Sequence, residues 1–292
     1  NQVTKYNRAN LSQLLAVHNY SRFDNHHYSF DYSHNTGRTW SNMLPPFWQH
    51  ENHPELMSKP VARDLNNHSV AGGAGTDRTY DFASDPVVAV DSQGRAFFGC
   101  VVISLAANEG DDPTDNATGL LISTSPPSAK GSFYDNVAAT SRRFVVAEDN
   151  SPTVFHDKPF ITGDFYKNSP NRDNVYATWS VFRDPANCAG NPKDNPFGCS
   201  PIYGSMSTDS GQHWSTPELI SGSAAFCAGM VTGTAPGPCN QDQGSDPIVL
   251  PDGRGSVVVT FNNTNTKGTF VNQQLAVRCT PSGSSPAGTG AL

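Results

Sequence analysis

At 292 residues and 36% hydrophobic side chains the chain is long enough to bury a sizeable core, while only 15% charged residues beside 25 Gly and 22 Pro favour turns and short strands over long helices. A formal net charge of −7 excludes nucleic acid and anionic membrane surfaces as favoured partners. The longest apolar run, 96–107, is too short to span a bilayer and contains Gly99 and Ser104, so no membrane insertion is expected. No signal peptide is read ahead of the first predicted strand, as expected of a mature or trimmed product.

In chain order, a first apolar segment at 14–19 precedes Arg22-Phe23-Asp24 and a strand at 27–33, where Tyr28, Phe30 and Tyr32 alternate with polar residues. That strand runs into Ser33-His34-Asn35-Thr36-Gly37-Arg38-Thr39-Trp40. An insertion at about 45–80 carries Trp48 and His50-Glu51-Asn52-His53; these histidines and His26-His27 read as surface or packing residues, with no third ligand marked. Next come Asp85-Pro86-Val87-Val88, a turn at 91–94, a strand at 96–101, an acidic loop with Glu109, Asp111, Asp112 and Asp115, and a strand at 119–124. The same order returns with Asp157-Lys158-Pro159-Phe160-Ile161, a turn at 171–174, a strand at 175–180, an insertion at 183–200 and a strand at 202–207. This strand enters Ser207-Thr208-Asp209-Ser210-Gly211-Gln212-His213-Trp214. A last copy follows an insertion at 222–243: Asp246-Pro247-Ile248-Val249, a turn at 251–254, and strands at 256–261 and 274–279.

The inner apolar segments therefore recur about every 80 residues. Each repeat reads strand, turn, strand, loop, strand, turn: an antiparallel four-stranded blade that must stack radially on its neighbours to cover its faces. The two octapeptides fit Ser-x-Asp-x-Gly-x-x-Trp, with Asn35 in place of Asp in the first. In this pattern a short side-chain oxygen bonds back to backbone N–H groups, Gly37 or Gly211 takes a positive φ, and Trp40 or Trp214 returns to the core. Pattern and element order resemble the sialidase-like, Asp-box (BNR-repeat) β-propeller superfamily over nearly the whole chain. The resemblance implies an all-β propeller domain over 1–292, with blades at roughly 1–60, 80–150, 155–222 and 243–292. The last blade stops near where its Asp-box would come, so a six- or seven-bladed ring extending past this chain is expected over a closed four-bladed one.

The resemblance also implies an arginine cluster clamping a carboxylate, an acid, and a Tyr nucleophile primed by Glu. Its Arg-Ile-Pro motif is absent, and Arg22-Phe23-Asp24 is the nearest local match, making Arg22 and Asp24 the catalytic candidates. Asp85, Asp157 and Asp246 stand where a propeller's inner strands line its channel, and are expected at one mouth as a substrate-binding floor or bridged by Ca²⁺; the competing role is to cap each strand entry. Glu109, Asp111, Asp112 and Asp115 offer a second, oxygen-only Ca²⁺ candidate. Tyr20, Phe23, Trp48 and Trp179 are sugar-stacking candidates, with core packing favoured for Trp179.

Cys188 with Cys199, and Cys227 with Cys239, bracket Pro/Gly-rich loops and fit local disulfides, each worth about 2–3 kcal/mol by chain entropy. Cys100 and Cys279 fit buried thiols. Disulfides and the sequons at Asn10, Asn19, Asn67, Asn116 and Asn262 point to a secreted or cell-surface glycoprotein. The expected function is non-catalytic glycan binding, adhesion or surface assembly, with a glycosidase-like or polysaccharide-lyase enzyme as the alternative.

Overall fold

The computed structural model describes residues 2–7, 10–20, 27–43, 82–103, 118–131, 145–149, 151, 153–188, 198–227, 237–264 and 273–282. They form an all-β structure of antiparallel sheets. The first sheet is β1 (Gln2–Asn7), β2 (Asn10–Tyr20), β3 (His27–Ser33) and β4 (Ser41–Met43), side by side in that order. The second holds β5 (Phe82–Val90), β6 (Ala96–Ile103), β7 (Thr118–Ser125) and β8 (Val145–Asp149). The third holds β9 (Val154–Gly163), β10 (Val175–Arg183), β11 (Ile202–Ser207) and β12 (Glu218–Leu219). A two-stranded hairpin, β13 (Ser223–Ala224) and β14 (Gly237–Pro238), precedes β15 (Asp242–Val249), β16 (Val257–Asn263) and β17 (Gln273–Cys279) of the fourth sheet.

Each sheet is a meander because short turns join neighbours and β-branched or aromatic residues fill the strands. The first strand of each later sheet packs on the sheet before it: β5 on β1–β3, β9 on β5–β8, and β15 on β9–β11. This stacking through first strands is the blade arrangement of a β-propeller, with β1, β5, β9 and β15 innermost. β9 approaches β5 so closely that a Cβ on Gly163 would collide with the Val90 carbonyl oxygen.

Two apolar layers hold the sheets together. Between the second and third lie Val87, Phe97, Leu120, Ile122, Ile161, Ala177, Trp179 and Val181. Between the third and fourth lie Tyr176, Ile202, Met206, Val249, Val257, Val259 and Phe261. Val175, Ala177, Trp179 and Val181 therefore face one way along β10 and Tyr176 the other, as period-two alternation requires.

Each inner strand carries a one-residue bulge: in β1 between Gln2 and Lys5, and, two residues nearer the mouth, at an equivalent point in the other three, between Ser84 and Val87, Asp157 and Phe160, and Gln243 and Asp246. In the last three the bulged residue has a positive φ: Asp85 (51°), Lys158 (50°) and Gly244 (66°). Pro86 and Pro159 follow it, where no ladder N–H is needed, and Ser245 takes their place in β15. Asp246-Pro247 thus lies two residues further along than Asp85-Pro86, an offset that the repeated dipeptide conceals in sequence.

The turns leaving the inner strands are latched to one another. Ser92 N–H donates to Asp173 Oδ1 at 2.9 Å, Gln93 Nε2 to Asp173 Oδ2 at 3.3 Å, and Arg172 Nε to Ser92 Oγ at 2.7 Å. Asn171 Nδ2 donates to the Gly255 carbonyl at 3.1 Å, tying the third sheet to the fourth. Buried Asp91 organises its own turn, accepting from Gln93 and Arg95 N–H at 2.9 Å and from the Arg95 guanidinium.

Both octapeptides fold as the same turn. Gly211 N–H donates to Ser207 Oγ (2.7 Å), Ser207 Oγ to Asp209 Oδ1 (2.9 Å), and His213 N–H to the same oxygen (2.9 Å). In the first copy Gly37 N–H donates to Ser33 Oγ and Thr39 N–H to Asn35 Oδ1, both at 2.9 Å. Two consecutive residues take positive φ in each, Thr36 and Gly37, then Ser210 and Gly211. The paired tryptophans differ. Trp214 packs against the core between the second and third sheets, whereas Trp40 is 43% exposed and bonds back to the Gly37 carbonyl at 3.1 Å, so it is not the core residue expected from the motif.

Cys188–Cys199 and Cys227–Cys239 are disulfides, and Cys100 and Cys279 are buried thiols. Peptide mapping without reduction is expected to recover both bridges, and Cys100 and Cys279 should alkylate only after unfolding; free Cys188 or Cys227 would contradict this. A Cβ on Gly211 (φ 81°) meets Thr124 Oγ1 at 2.6 Å, whereas one on Gly253 (φ 71°) meets nothing within 4 Å. Gly253→Ala should cost only backbone strain, about 1 kcal/mol, and Gly211→Ala about 1–3 kcal/mol more. Equal losses in urea unfolding would show that this turn does not press on the second sheet.

Candidate functional site

Strand direction gives the molecule two unlike ends. The turns at 91–95, 164–174 and 250–256 and both octapeptide turns lie at one end, where inner strands finish. The other end, the mouth, is where β5, β9 and β15 begin and β6, β10 and β16 finish. Connections between second and third strands, and from one sheet to the next, also belong to the mouth. Cys188–Cys199 closes one of these connections, and Cys227–Cys239 with the β13–β14 hairpin closes another.

Just inside the mouth the inner strands bring Asp85 and Asp157 together. Ser84 Oγ donates to Asp85 Oδ1 at 3.0 Å, and Lys158 Nζ to Asp157 Oδ2 at 2.6 Å. Burial is the main cause that raises the Asp85 carboxyl above the usual carboxylate range; the Ser84 hydroxyl opposes it, and the neighbouring Asp157 charge adds to it. The positive φ at Asp85 and Lys158 re-aims these side chains relative to the regular pleat, a common use of a bulge beside a site. Asp246 stands instead at the register position of Val87 and Phe160, paired with Thr260.

One residue nearer the mouth than the bulge pair, two buried polar groups occupy equivalent positions in successive sheets. His156 pairs with Val181 and Asp242 with Asn263 in the ladders. His156 Nδ1 accepts from Trp179 Nε1 at 2.9 Å, which places the imidazole proton on Nε2. Burial lowers the His156 pKa to about 4, with Asp149 opposing and Arg183 assisting. Asp242 accepts from Asn263 Nδ2 at 2.5 Å, and burial pushes its carboxyl up to about 7 against hydrogen bonds from Asn263 and Ser221. Sequence reading missed both residues: Asp242 sits in a stretch that reads as a polar loop, and no alternation marks His156 as inward.

Of the described arginines, only Arg183 lies at the mouth. Its guanidinium stacks 5.5 Å from the Tyr203 ring centroid, and Nη2 donates to Tyr203 Oη at 3.3 Å. Arg95, Arg172, Arg254 and Arg278 lie at the opposite end. Half-buried Phe155 and Phe182 make an edge-on pair at the mouth, ring centroids 6.4 Å apart. Trp179 is wholly buried and unavailable for stacking on a sugar. Arg22, Asp24, Phe23, Trp48, Glu109, Asp111, Asp112 and Asp115 lie outside the described residues. Among the described residues no group of three or more His, Cys, Asp or Glu is placed to hold a metal ion.

No protein-family profile and no curated protein matches the sequence. Among solved structures the chain is similar to the Hadza microbial sialidase Hz136, at 13% identity and TM-score 0.49, over 98% of this chain and 44% of that one. It is similar to a protein of unknown function from Dyadobacter fermentans, at 13% identity and TM-score 0.44, over 96% of this chain and 65% of that one. It is also similar to an alpha-L-arabinanase from Penicillium chrysogenum, at 11% identity and TM-score 0.40, over 95% and 75%. The chain thus spans less than two thirds of the first two.

His156 supplies a test of the buried layer. Its folded pKa lies below its unfolded value of 6.5, so its contribution to stability is present above pH 6.5 and lost as pH falls toward 4. Over that window the wild type should lose about 3 kcal/mol more than His156→Gln, which keeps an acceptor for Trp179. Parallel acid profiles for the two proteins would place His156 in water.

Proposed function

We propose that the mouth of this sialidase-like propeller is a glycan-binding surface that holds its ligand without cleaving it. The observation that carries this reading is the placement of Asp85 and Asp157 on adjacent, directly packed inner strands, near enough for the Asp157 charge to act on Asp85. Acid and nucleophile of a retaining glycosidase stand about 5–5.5 Å apart, and the inverting pair about 6.5–9.5 Å, which leaves space for the scissile bond or a water. Asp85 and Asp157 stand on inner strands that pack directly on one another, which crowds out that space. They present adjacent acceptor oxygens, with the Lys158 ammonium as donor beside them, which suits neighbouring sugar hydroxyls. Phe155, Phe182 and Tyr203 add ring surface at the same end. With Arg183 the one described arginine there, a multi-arginine carboxylate clamp has no support among the described residues. The two disulfides support an extracellular or cell-surface setting, and the net charge weighs against nucleic acid.

A second reading, a carbohydrate-active hydrolase or lyase, is favoured by one observation. The raised Asp85 pKa is what a general acid requires.

Glycan-array binding followed by titration of the hits decides between them. Binding should weaken about tenfold in Asp157→Asn, the loss of one charge-assisted hydrogen bond, with no product from chromogenic glycosides, simple sialosides included. Turnover that vanishes in Asp85→Asn or Asp24→Ala would establish the enzyme reading instead. An array with no bound glycan would overturn the binding proposal.

A further inference from the structure

The layer between the third and fourth sheets changes character along its length. Toward the turn end it is apolar, built from Tyr176, Val249, Val257, Val259 and Phe261. Toward the mouth the same faces carry Thr178 and Ser180 on β10, Asp242 and Ser245 on β15, and Asn263 on β16, all buried. Ser180 Oγ donates to the Asp242 carbonyl at 3.4 Å, which fixes β10 against the start of β15.

Toward the mouth, Asp242 Oδ2, Thr178 Oγ1 and Ser245 Oγ have no hydrogen-bond partner among the described residues. Their residues are 0%, 0% and 1% exposed, so bulk water does not satisfy them. Ser221 Oγ accepts from Ile202 N–H at 3.0 Å, and its hydroxyl favours the charged form of the Asp242 carboxyl. The equivalent position one sheet earlier provides the contrast. There His156 meets its demand within the protein, through Trp179. A carboxylate oxygen and two hydroxyls, buried in one layer and not hydrogen-bonded to one another, cost several kcal/mol unless a further group lies among them.

We propose that this layer binds one monovalent cation, Na⁺ or K⁺, through Asp242 Oδ2 and the hydroxyls of Thr178 and Ser245. The donor set is oxygen alone, which selects a hard ion, and it holds one carboxylate. Calcium sites gather six to eight oxygens, usually with several carboxylates, and a single negative charge matches a single positive one. The site is separate from the Asp85–Asp157 rim and does not depend on the glycan reading.

The test uses the intact chain in choline chloride, NaCl and KCl at equal ionic strength of about 0.15 M. The melting midpoint should rise by about 2–6 °C in Na⁺ or K⁺ relative to choline, and the rise should saturate with ion concentration. Asp242→Asn should abolish the rise, and Thr178→Val should weaken the ion affinity while leaving the carboxylate in place. Crystals soaked in Tl⁺ should show an anomalous peak between β10 and β15. Equal midpoints in the three chlorides, an ion response that survives in Asp242→Asn, or an ordered water with no Tl⁺ peak would each overturn the proposal. Thr178→Val keeps the test decisive should Asp242→Asn fail to fold.

Discussion

The second, third and fourth sheets depend on one another for the burial of faces they cannot leave in water. β6 is buried at every position but its last, and β10 from Val175 to Val181, so both faces of these strands are covered. A lone four-stranded sheet with this composition would expose two apolar surfaces and hold no stable structure. Removing apolar area from water contributes roughly 25 cal/mol per Å², and wholly buried Trp179, Tyr176, Phe97, Phe98 and Phe261 concentrate that contribution in the two layers. The meander, the radial order and the crowding of inner strands all follow from this demand.

That demand divides the molecule by task. At the turn end, connections are short and capped by their own Asp, Asn and Ser side chains, and they lock neighbouring sheets through Ser92, Asp173, Arg172 and Asn171. At the mouth, longer connections meet bulged strands, and buried carboxyl, imidazole and hydroxyl groups replace hydrocarbon. Rigid strands fixed at one end can hold polar groups at the other in geometries a loop alone would not maintain. The bulge links the two tasks, because one extra residue with a left-handed backbone turns the strand start without breaking the pairing beyond it.

Much of this was legible in the residues. The third strands read at 119–124 and 202–207 correspond to Thr118–Ser125 and Ile202–Ser207, and the Ser, Asp and Gly of the octapeptide take the roles their chemistry predicts. Local cysteine spacing indicated both disulfides. What escaped has a common cause. Alternation has period two, and a bulge breaks that period unannounced, so Asp246-Pro247 resembles Asp85-Pro86 while occupying a different register. Asp242 and His156 were invisible because a polar residue at a strand start reads as loop unless the neighbouring sheet is known to cover it. Trp40 holds the Trp position of its motif, yet its exposure depends on tertiary surroundings that an octapeptide does not encode.

The two interfaces are not held in the same way. The second and third sheets share a broad apolar layer latched at the turn end by Ser92, Gln93, Arg172 and Asp173, whereas the third and fourth share a layer that turns polar halfway along, with Asn171 bonded to Gly255 at the turn end and the Ser200 backbone paired with Asn240 and Asp242 at the mouth. Coupling of this kind passes between nearest neighbours, so the structure has a seam rather than uniform toughness. Under heat, denaturant or mechanical load a fracture at the third–fourth boundary would begin at the turn end, and the paired backbone at Ser200 would serve as its hinge at the mouth. The third sheet would then stay clamped to the second as a residual folded unit, with the face of Tyr176 newly wetted.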